Sequence, residues 1–177
     1  MDTGVRTIAA GRYVRLVQRD GWEYVERTNI AGIVVIVALT EANQLVLVEQ
    51  YRPAVDRNVI ELPAGLAGDT SETADETLEH AAVRELLEET GYRAEGMHPL
   101  FRGPPSAGIT SEQLTFFLAV NPRREGPGGG DGSEEITVHT VPLEDVPLWL
   151  QRQSERGRAI DIKIYAGLYA AQAVRRR

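Results

Sequence analysis

The stretch Arg84-Glu85-Leu86-Leu87-Glu88-Glu89-Thr90-Gly91-Tyr92 has the strongest local pattern in the chain. At about 100° per residue, a helix through it places Glu85, Glu88 and Glu89 on one face, opposite the apolar residues. Like charges at this spacing repel one another, and a bound divalent cation would reverse that cost. Because carboxylate oxygens are hard ligands, the pattern indicates Mg²⁺ or Mn²⁺. The alternative is a solvated helix face that is rich in glutamate.

The elements around this stretch indicate the fold class. The helix is predicted from about residue 74 to residue 90, with Gly91 in the left-handed position that ends it. Short runs rich in β-branched residues predict strands at AGIVVIVALT, QLVLVEQYRP, EQLTFFLAV and EITVHTV. Two more helices are predicted, at EDVPLWLQRQ and over residues 162–174. Strands framing helices predict an α/β or α+β fold, an α/β/α sandwich with a mixed β-sheet.

The N-terminal stretch has a different texture. Residues 5–28 alternate polar and apolar side chains on both sides of Arg19-Asp20-Gly21, which predicts a β-hairpin. We therefore divide the chain into an N-terminal β extension, residues 1–28, and a main domain, residues 29–177.

Composition excludes several classes of protein. The 177 residues include no Cys, which excludes a disulfide framework, a thiolate zinc site and a cysteine nucleophile. The net charge of −7 disfavours binding to a nucleic-acid backbone. The longest apolar run is about half of the roughly 20 residues that a membrane span needs, and the N-terminus lacks a signal-peptide core. We expect a soluble cytoplasmic protein that binds neither nucleic acid nor membrane.

The quoted stretch resembles the second half of the signature of the Nudix hydrolases, Arg-Glu-aliphatic-any-Glu-Glu-any-Gly-aliphatic. The first half of that signature is Gly, five residues, Glu and seven residues, and Glu76 stands at the expected distance before Arg84. The expected position of the glycine is Thr70, whereas Gly65 of ELPAG lies ten residues before Glu76. The loop before the helix is therefore four to five residues longer than in the family pattern, and Glu76 is a further candidate site residue.

The resemblance implies a site and a chemistry. In the family, carboxylates matching Glu85, Glu88 and Glu89, with the backbone carbonyl of Ala64, hold Mg²⁺ or Mn²⁺, and we expect more than one ion. Glu88 then belongs to the catalytic set as well. Arg84 joins that set by orienting a glutamate through charge-assisted hydrogen bonds.

The flanking sequence resembles one subgroup more closely. VLVEQYRPAVDRNVIELPAGL is similar to the corresponding region of ADP-ribose pyrophosphatases and related nucleoside-diphosphate-sugar hydrolases. In that subgroup an arginine matching Arg52 contacts a phosphate, and its alternative here is a surface ion pair. Residues 105–112 stand where the subgroup has a Ser-Pro-Gly loop followed by an acidic residue, here Glu112. Ala107 replaces the usual proline of that loop.

The glycine-rich segment GPGGGDGSEE, residues 126–135, resembles the mobile loop that brings a late acidic residue into the site of ADP-ribose hydrolases. Glu134 is the predicted general base, with Glu135 as the alternate. Because the segment neither follows a strand nor opens a helix, a dinucleotide fingerprint is disfavoured. An ordinary surface loop remains the alternative.

The resemblance also implies a role for the N-terminal extension. In similar enzymes such a hairpin helps to form a dimer and stacks the adenine between subunits. Trp22 is therefore a candidate substrate-binding residue, with core or interface packing as its alternative. We expect a homodimer.

Together these implications predict a metal-dependent hydrolase that cleaves the pyrophosphate of ADP-ribose, or of a similar ADP-sugar, to AMP and a sugar phosphate. One alternative is hydrolysis of another nucleoside diphosphate compound, such as a GDP-sugar or a diadenosine polyphosphate. A different class is a non-catalytic Nudix domain that senses ADP-ribose. The intact set of glutamates favours an enzyme.

Overall fold

A computed structural model describes residues 4–68, 73, 75–130 and 135–175. The strands are β1 Arg6–Ala10, β2 Val14–Arg19, β3 Trp22–Arg27, β4 Gly32–Val37, β5 Gln44–Arg52, β6 Arg57–Glu61, β7 Ala64–Ala67, β8 Tyr92–Arg93, β9 Gly96–Gly103, β10 Leu114–Val120, β11 Arg123–Arg124, β12 Thr137–Pro142 and β13 Ala159–Ile160. The helices are α1 Leu78–Thr90, α2 Val146–Glu155 and α3 Lys163–Arg175.

The strands of the main domain form two four-stranded sheets and a short pair. One sheet has the order β7-β4-β10-β9, the other has β12-β5-β6-β13, and β11 pairs with β8. β10 is parallel to β4 and β13 is parallel to β6, whereas the other pairs in these sheets are antiparallel. The predicted α+β architecture with mixed sheets is confirmed.

The side chains of β4 show how the layers are held together. Successive residues of a strand point to opposite faces, and every residue from Val34 to Val37 is buried. Val34 and Ile36 belong to the apolar cluster that includes Ala82 and Leu86 of α1. Val35 and Val37 belong to a second cluster, which includes residues of α2 and α3. The sheet therefore has α1 on one face and the other two helices on the opposite face.

Helix α1 begins later than the sequence pattern predicted. Thr77 is its N-cap, and the Thr77 hydroxyl accepts a hydrogen bond of 3.2 Å from the backbone N–H of His80. The predicted start near residue 74 is wrong, because this cap fixes Leu78 as the first helical residue. The end is as predicted: Gly91 has φ +72° and its N–H bonds to the Leu87 carbonyl.

The predicted N-terminal hairpin is present as β2 and β3. Its turn residues, Asp20 and Gly21, both have positive φ, the geometry that two-residue hairpins favour. β1 adds a third strand beside β2. The sheet is tied to the main domain through Val25, whose N–H donates to the Ile109 carbonyl at 2.8 Å and whose carbonyl accepts from Ser111 at 3.1 Å.

Among the described residues, no helix has the length and the apolar composition that a membrane span requires.

Candidate active site

A cavity of about 970 Å³ brings together residues that are far apart in the sequence. The predicted site residues that line it are Arg52, Ala64, Arg84, Glu85, Glu88, Glu89 and Glu112. Its wall also includes residues that the sequence patterns did not single out, among them Tyr13, Arg27, Gly130 and Lys163. These residues come from the N-terminal sheet, the main sheets and two helices.

Arg84 is the centre of the charged network on α1. Its Nε and Nη2 donate to the two carboxylate oxygens of Glu76, at 3.1 and 3.0 Å. Nη1 donates to Glu85 at 2.9 Å and to Glu88 at 3.0 Å. Nη2 also donates to the Leu66 carbonyl at 3.0 Å. The hydrogen bonds to Glu76, with smaller contributions from Glu85 and Glu88, raise the pKa of Arg84 above its ordinary value and keep the guanidinium charged.

Glu89 differs from the other two glutamates of the predicted face. Only 4% of the residue is exposed, and its Oε2 accepts a hydrogen bond of 3.1 Å from the backbone N–H of Ala64. Glu85 is half-buried and Glu88 is exposed. The expectation that all three carboxylates lie opposite the buried face is therefore wrong for Glu89, because α1 packs against β7 at this point.

Gly65 allows β7 to lie directly against Glu85. A Cβ at residue 65 would be 1.9 Å from the Cδ of Glu85, which is far inside van der Waals contact. Glycine is therefore required at this position if the strand and the carboxylate are to keep their places.

The donors at this end of the cavity fit a hard divalent cation in their chemistry. Glu85, Glu88, Glu89 and Ala64 all line the cavity, and together they offer carboxylate and backbone carbonyl oxygens. Within the described residues, however, no three His, Asp or Glu side chains are already arranged as a metal site. Arg84 donates to one carboxylate oxygen of Glu85 and one of Glu88, and the Ala64 N–H donates to one oxygen of Glu89, so a cation would compete with these donors for the same carboxylates.

The first part of the glycine-rich loop is attached to the end of α1. The Gly129 N–H donates to the Glu89 carbonyl at 2.9 Å, and the Gly130 N–H donates to the Glu88 carbonyl at 3.1 Å. These bonds satisfy carbonyls that a helix end leaves without a partner. Gly128 has φ +71°, and a Cβ there would be 2.4 Å from the Thr90 carbonyl carbon.

The predicted general base and its alternate differ in whether the structure describes them. Glu134 lies outside the described residues, and its alternate, Glu135, is exposed. Gly130, four residues before Glu134, lines the cavity. The assignment of the base stays a prediction.

Two predicted substrate-binding residues occur in ion pairs at the cavity wall. Arg52 Nε donates to Glu61 at 2.6 Å, and the side chain of Glu61 is 6% exposed. Glu112 accepts a hydrogen bond of 2.8 Å from Arg27 Nε. Arg27, at the end of β3, was not predicted, and its link to Glu112 connects the N-terminal sheet to the loop before β10.

Two of the three aromatic residues in the N-terminal extension, Trp22 and Tyr13, have different positions relative to the cavity. Trp22 is 70% exposed and is not part of the described cavity wall. Tyr13, just before β2, lines the cavity, and the Arg12 guanidinium lies 5.0 Å from the centre of its ring. No local sequence signal separates these two aromatics, because the docking of the sheet decides which of them borders the cavity.

Comparison with known proteins agrees with the fold. The NUDIX domain model matches residues 30–166. This chain belongs to the Nudix family. A solved Nudix-like structure, described as an ADP compounds hydrolase, superposes with a TM-score of 0.64 and 22% identity over 84% of this chain and 81% of that chain. At that identity the likeness shows the fold alone.

Several curated Nudix relatives have names that specify an activity. The ADP-ribose pyrophosphatase of Bacillus subtilis is 34% identical over 64% of this chain and 60% of its own length. The ADP-sugar pyrophosphatase of Mus musculus is 32% identical over 82% and 71%. The GDP-mannose pyrophosphatase of Cronobacter sakazakii is 33% identical over 64% and 61%. The chain thus spans about three-fifths of the length of the two bacterial relatives.

Proposed function

We propose that this Nudix domain is a metal-dependent pyrophosphohydrolase that cleaves ADP-ribose or a similar ADP-sugar to AMP and a sugar phosphate. The observation that carries the proposal is the meeting, in one cavity, of three glutamates from α1, the backbone of Ala64 and the guanidinium of Arg52. The names of the curated relatives support this substrate class.

Glu85, Glu88, Glu89 and the Ala64 carbonyl would hold Mg²⁺ or Mn²⁺, and we propose more than one ion. Such a cation neutralises the charge that develops on the phosphate oxygens and lowers the pKa of an attacking water. The carboxylates carry the negative charge and hard oxygen donors that this binding requires.

The arginines of the cavity have separate tasks in this proposal. Arg84 is a positioning residue, because its bonds to Glu85 and Glu88 hold these carboxylates on α1 while its bonds to Glu76 tie the guanidinium to the segment before the helix. Arg52 binds a substrate phosphate, for which its planar fork of donors is suited. Glu61 keeps Arg52 at the cavity wall.

Glu134, with Glu135 as the alternate, takes the proton of the attacking water as a general base. Glu112 is a further substrate-binding residue in this proposal. We further propose a homodimer in which the N-terminal extension of one subunit brings Trp22 to the substrate of the other. The exposure of Trp22 outside the cavity of its own chain is compatible with such a role. A cytoplasmic location completes the proposal, since a chain without Cys needs no oxidising compartment.

The test is the release of AMP or GMP from a panel of substrates. ADP-ribose, other ADP-sugars, GDP-mannose, NADH and diadenosine polyphosphates are each incubated with Mg²⁺ or with EDTA. Wild type is compared with Glu89→Gln and with Glu79→Gln, which changes an exposed glutamate in the first turn of the same helix. Metal-dependent turnover of ADP-ribose by wild type and Glu79→Gln, but not by Glu89→Gln, is the expected result.

Two other results would replace the proposal. A clear preference for GDP-mannose or a diadenosine polyphosphate would retain the site and change the substrate, an outcome that the Cronobacter sakazakii relative makes worth testing. Binding of ADP-ribose without hydrolysis of any compound would identify a sensor domain.

A further inference from the structure

The chain has one lysine, Lys163, against 18 arginines. Lys163 is the first residue of α3 and lines the large cavity. The other cations of that cavity, Arg27, Arg52 and Arg84, all have guanidinium groups. An ammonium group is a compact point charge with three donors, and its chemistry differs from that of a planar guanidinium.

The strand pairing places Asp161, the ion-pair partner of Lys163, near the end of β6, where Glu61 is the ion-pair partner of the predicted phosphate ligand Arg52. β13 runs parallel to β6 with Ile160 beside Ile60, and the Asp161 N–H donates to the Ile60 carbonyl at 3.0 Å. Asp161, the residue after β13, is therefore at the position next to Glu61, the last residue of β6. Glu61 pairs with Arg52 and Asp161 pairs with Lys163, and three of these four residues, Arg52, Glu61 and Lys163, line the cavity.

Asp161 fixes the lysine in this wall. One oxygen of the Asp161 carboxylate accepts the Lys163 backbone N–H at 2.8 Å, and the other accepts the Lys163 ammonium. The side chain of Asp161 is 13% exposed and that of Lys163 is 25% exposed. Both side chains are therefore largely buried, and Lys163 is one of the residues that line the cavity.

We propose that Lys163 is a substrate-binding residue whose ammonium donates to an anionic oxygen of the phosphate that Arg52 also contacts. Asp161 engages one of the three N–H donors and leaves two that are able to bind phosphate oxygens. The inference rests on the proposed function for the identity of the ligand as a nucleoside diphosphate compound. The cavity has carboxylates at its α1 end, and cations on another part of its wall supply the opposite charge that a diphosphate needs.

Because Lys163 is the only lysine, its chemical reactivity reports on this one site. We would acetylate the full chain with a limiting amine-reactive ester in EDTA and measure, by mass spectrometry, the rate at which the peptide with Lys163 is modified. An added lysine peptide serves as the internal reference. Inorganic pyrophosphate and ADP-ribose are expected to slow acetylation at least fivefold at concentrations at which equilibrium dialysis shows them bound, whereas adenosine has no effect.

Steady-state kinetics provide a second, independent readout. Lys163→Met is expected to raise KM about tenfold or more, because the variant loses the binding free energy of a charge-assisted hydrogen bond to the phosphate. The value of kcat is expected to stay within about twofold of wild type. Lys163→Arg restores much of the lost affinity. Arg156→Met, at an exposed arginine after α2, is the matched control and leaves both constants unchanged.

The outcomes separate this proposal from the proposed function. An unchanged acetylation rate with pyrophosphate or ADP-ribose demonstrably bound would overturn the role of Lys163, even if hydrolysis is confirmed. Protection by pyrophosphate without hydrolysis of any compound would support the role of Lys163 and refute the enzyme. A loss of kcat in Lys163→Met with unchanged KM would also contradict phosphate binding, as would a failure of the chain to bind pyrophosphate or any nucleotide.

Discussion

Arg84 and Glu76 form a two-point ion pair, with both carboxylate oxygens of Glu76 accepting from the Arg84 guanidinium at 3.1 and 3.0 Å. The pair joins the residue just before the N-cap of α1 to the middle of the helix. Because the same guanidinium bonds to Glu85 and Glu88, the pair also determines where those carboxylates stand. The longer loop before α1 therefore leaves Glu76 in contact with the rest of the network.

We expect Arg84→Gln to lower the free energy of unfolding by about 1–3 kcal/mol, because it removes the guanidinium that bonds to the carboxylates of Glu76, Glu85 and Glu88. Urea denaturation measures this loss. Added Mg²⁺ is expected to recover part of it, since a cation would replace the lost positive charge. Arg93→Gln, which breaks an exposed pair with Glu125, is the control and should cost less than about 1 kcal/mol. Equal losses in the two variants would contradict the central role of Arg84.

We expect Gly65→Ala to reduce kcat at least tenfold, because the new methyl group would displace the Glu85 carboxylate from β7. The loss of activity should be larger than the change in thermal stability would explain, since the clash is with a side chain at the cavity. Gly103→Ala, at the end of β9, is the control, because a Cβ there meets nothing within 4 Å. Normal turnover by Gly65→Ala would show that the position of Glu85 does not matter.

Gly128→Ala is expected to release the loop from α1. Alanine at positive φ costs about 1 kcal/mol, and at this position its Cβ would also meet the Thr90 and Glu89 backbone. Gly157→Ala is the matched control, with φ +87° and open space around the Cβ. Hydrogen exchange of the Gly129 and Gly130 amides should accelerate at least tenfold in Gly128→Ala and remain unchanged in Gly157→Ala. Unchanged protection in both variants would mean that the loop is not held by these bonds.

Glu49 is expected to make the stability of the fold dependent on pH. Burial alone would raise the pKa of Glu49, but hydrogen bonds from Asn58, His139 and Arg158 outweigh it and hold the pKa below its ordinary value of 4.5. A carboxyl with a lowered pKa in the folded state contributes stability that is complete above its unfolded pKa and is lost as the pH falls through its folded pKa.

Urea denaturation between pH 6 and pH 3 tests this expectation, since that range spans the ordinary glutamate pKa of 4.5. The free energy of unfolding should fall more steeply below about pH 4.5 in wild type than in Glu49→Gln. Glu41→Gln, at an exposed glutamate between β4 and β5, should follow the wild-type curve. Parallel curves for wild type and Glu49→Gln would contradict the lowered pKa.

The features that sequence patterns predicted depend mostly on neighbours along the chain. The helical face with its three glutamates and the Gly91 end follow from spacing and from the conformational freedom of glycine. The burial of Glu89 depends on contact with Ala64, 25 residues away, and no local pattern reports it. For Arg52, Ala64 and Glu112, the spacing of residues predicts no role, and their predicted roles come from the resemblance to a known family.

The residues that the sequence did not reveal are brought to the cavity by long-range pairing. Lys163 reaches it because β13 pairs with β6, about 100 residues earlier in the chain. Tyr13 reaches it because the N-terminal sheet docks through Val25 on the segment that contains Ile109. The glycine-rich loop resembles a mobile loop in sequence, but Gly129 and Gly130 are hydrogen-bonded to the end of α1. The composition of the loop does not predict this long-range contact.

The most direct test of the proposed enzyme is the initial rate of AMP release from ADP-ribose as a function of Mg²⁺ concentration, for wild type, Glu89→Gln and Glu79→Gln. The account predicts saturable metal-dependent turnover in wild type and Glu79→Gln and a loss of at least 100-fold in Glu89→Gln, of the order seen when a group that stabilises the transition state is removed. Turnover that is equal in all three proteins, or independent of Mg²⁺, would contradict it.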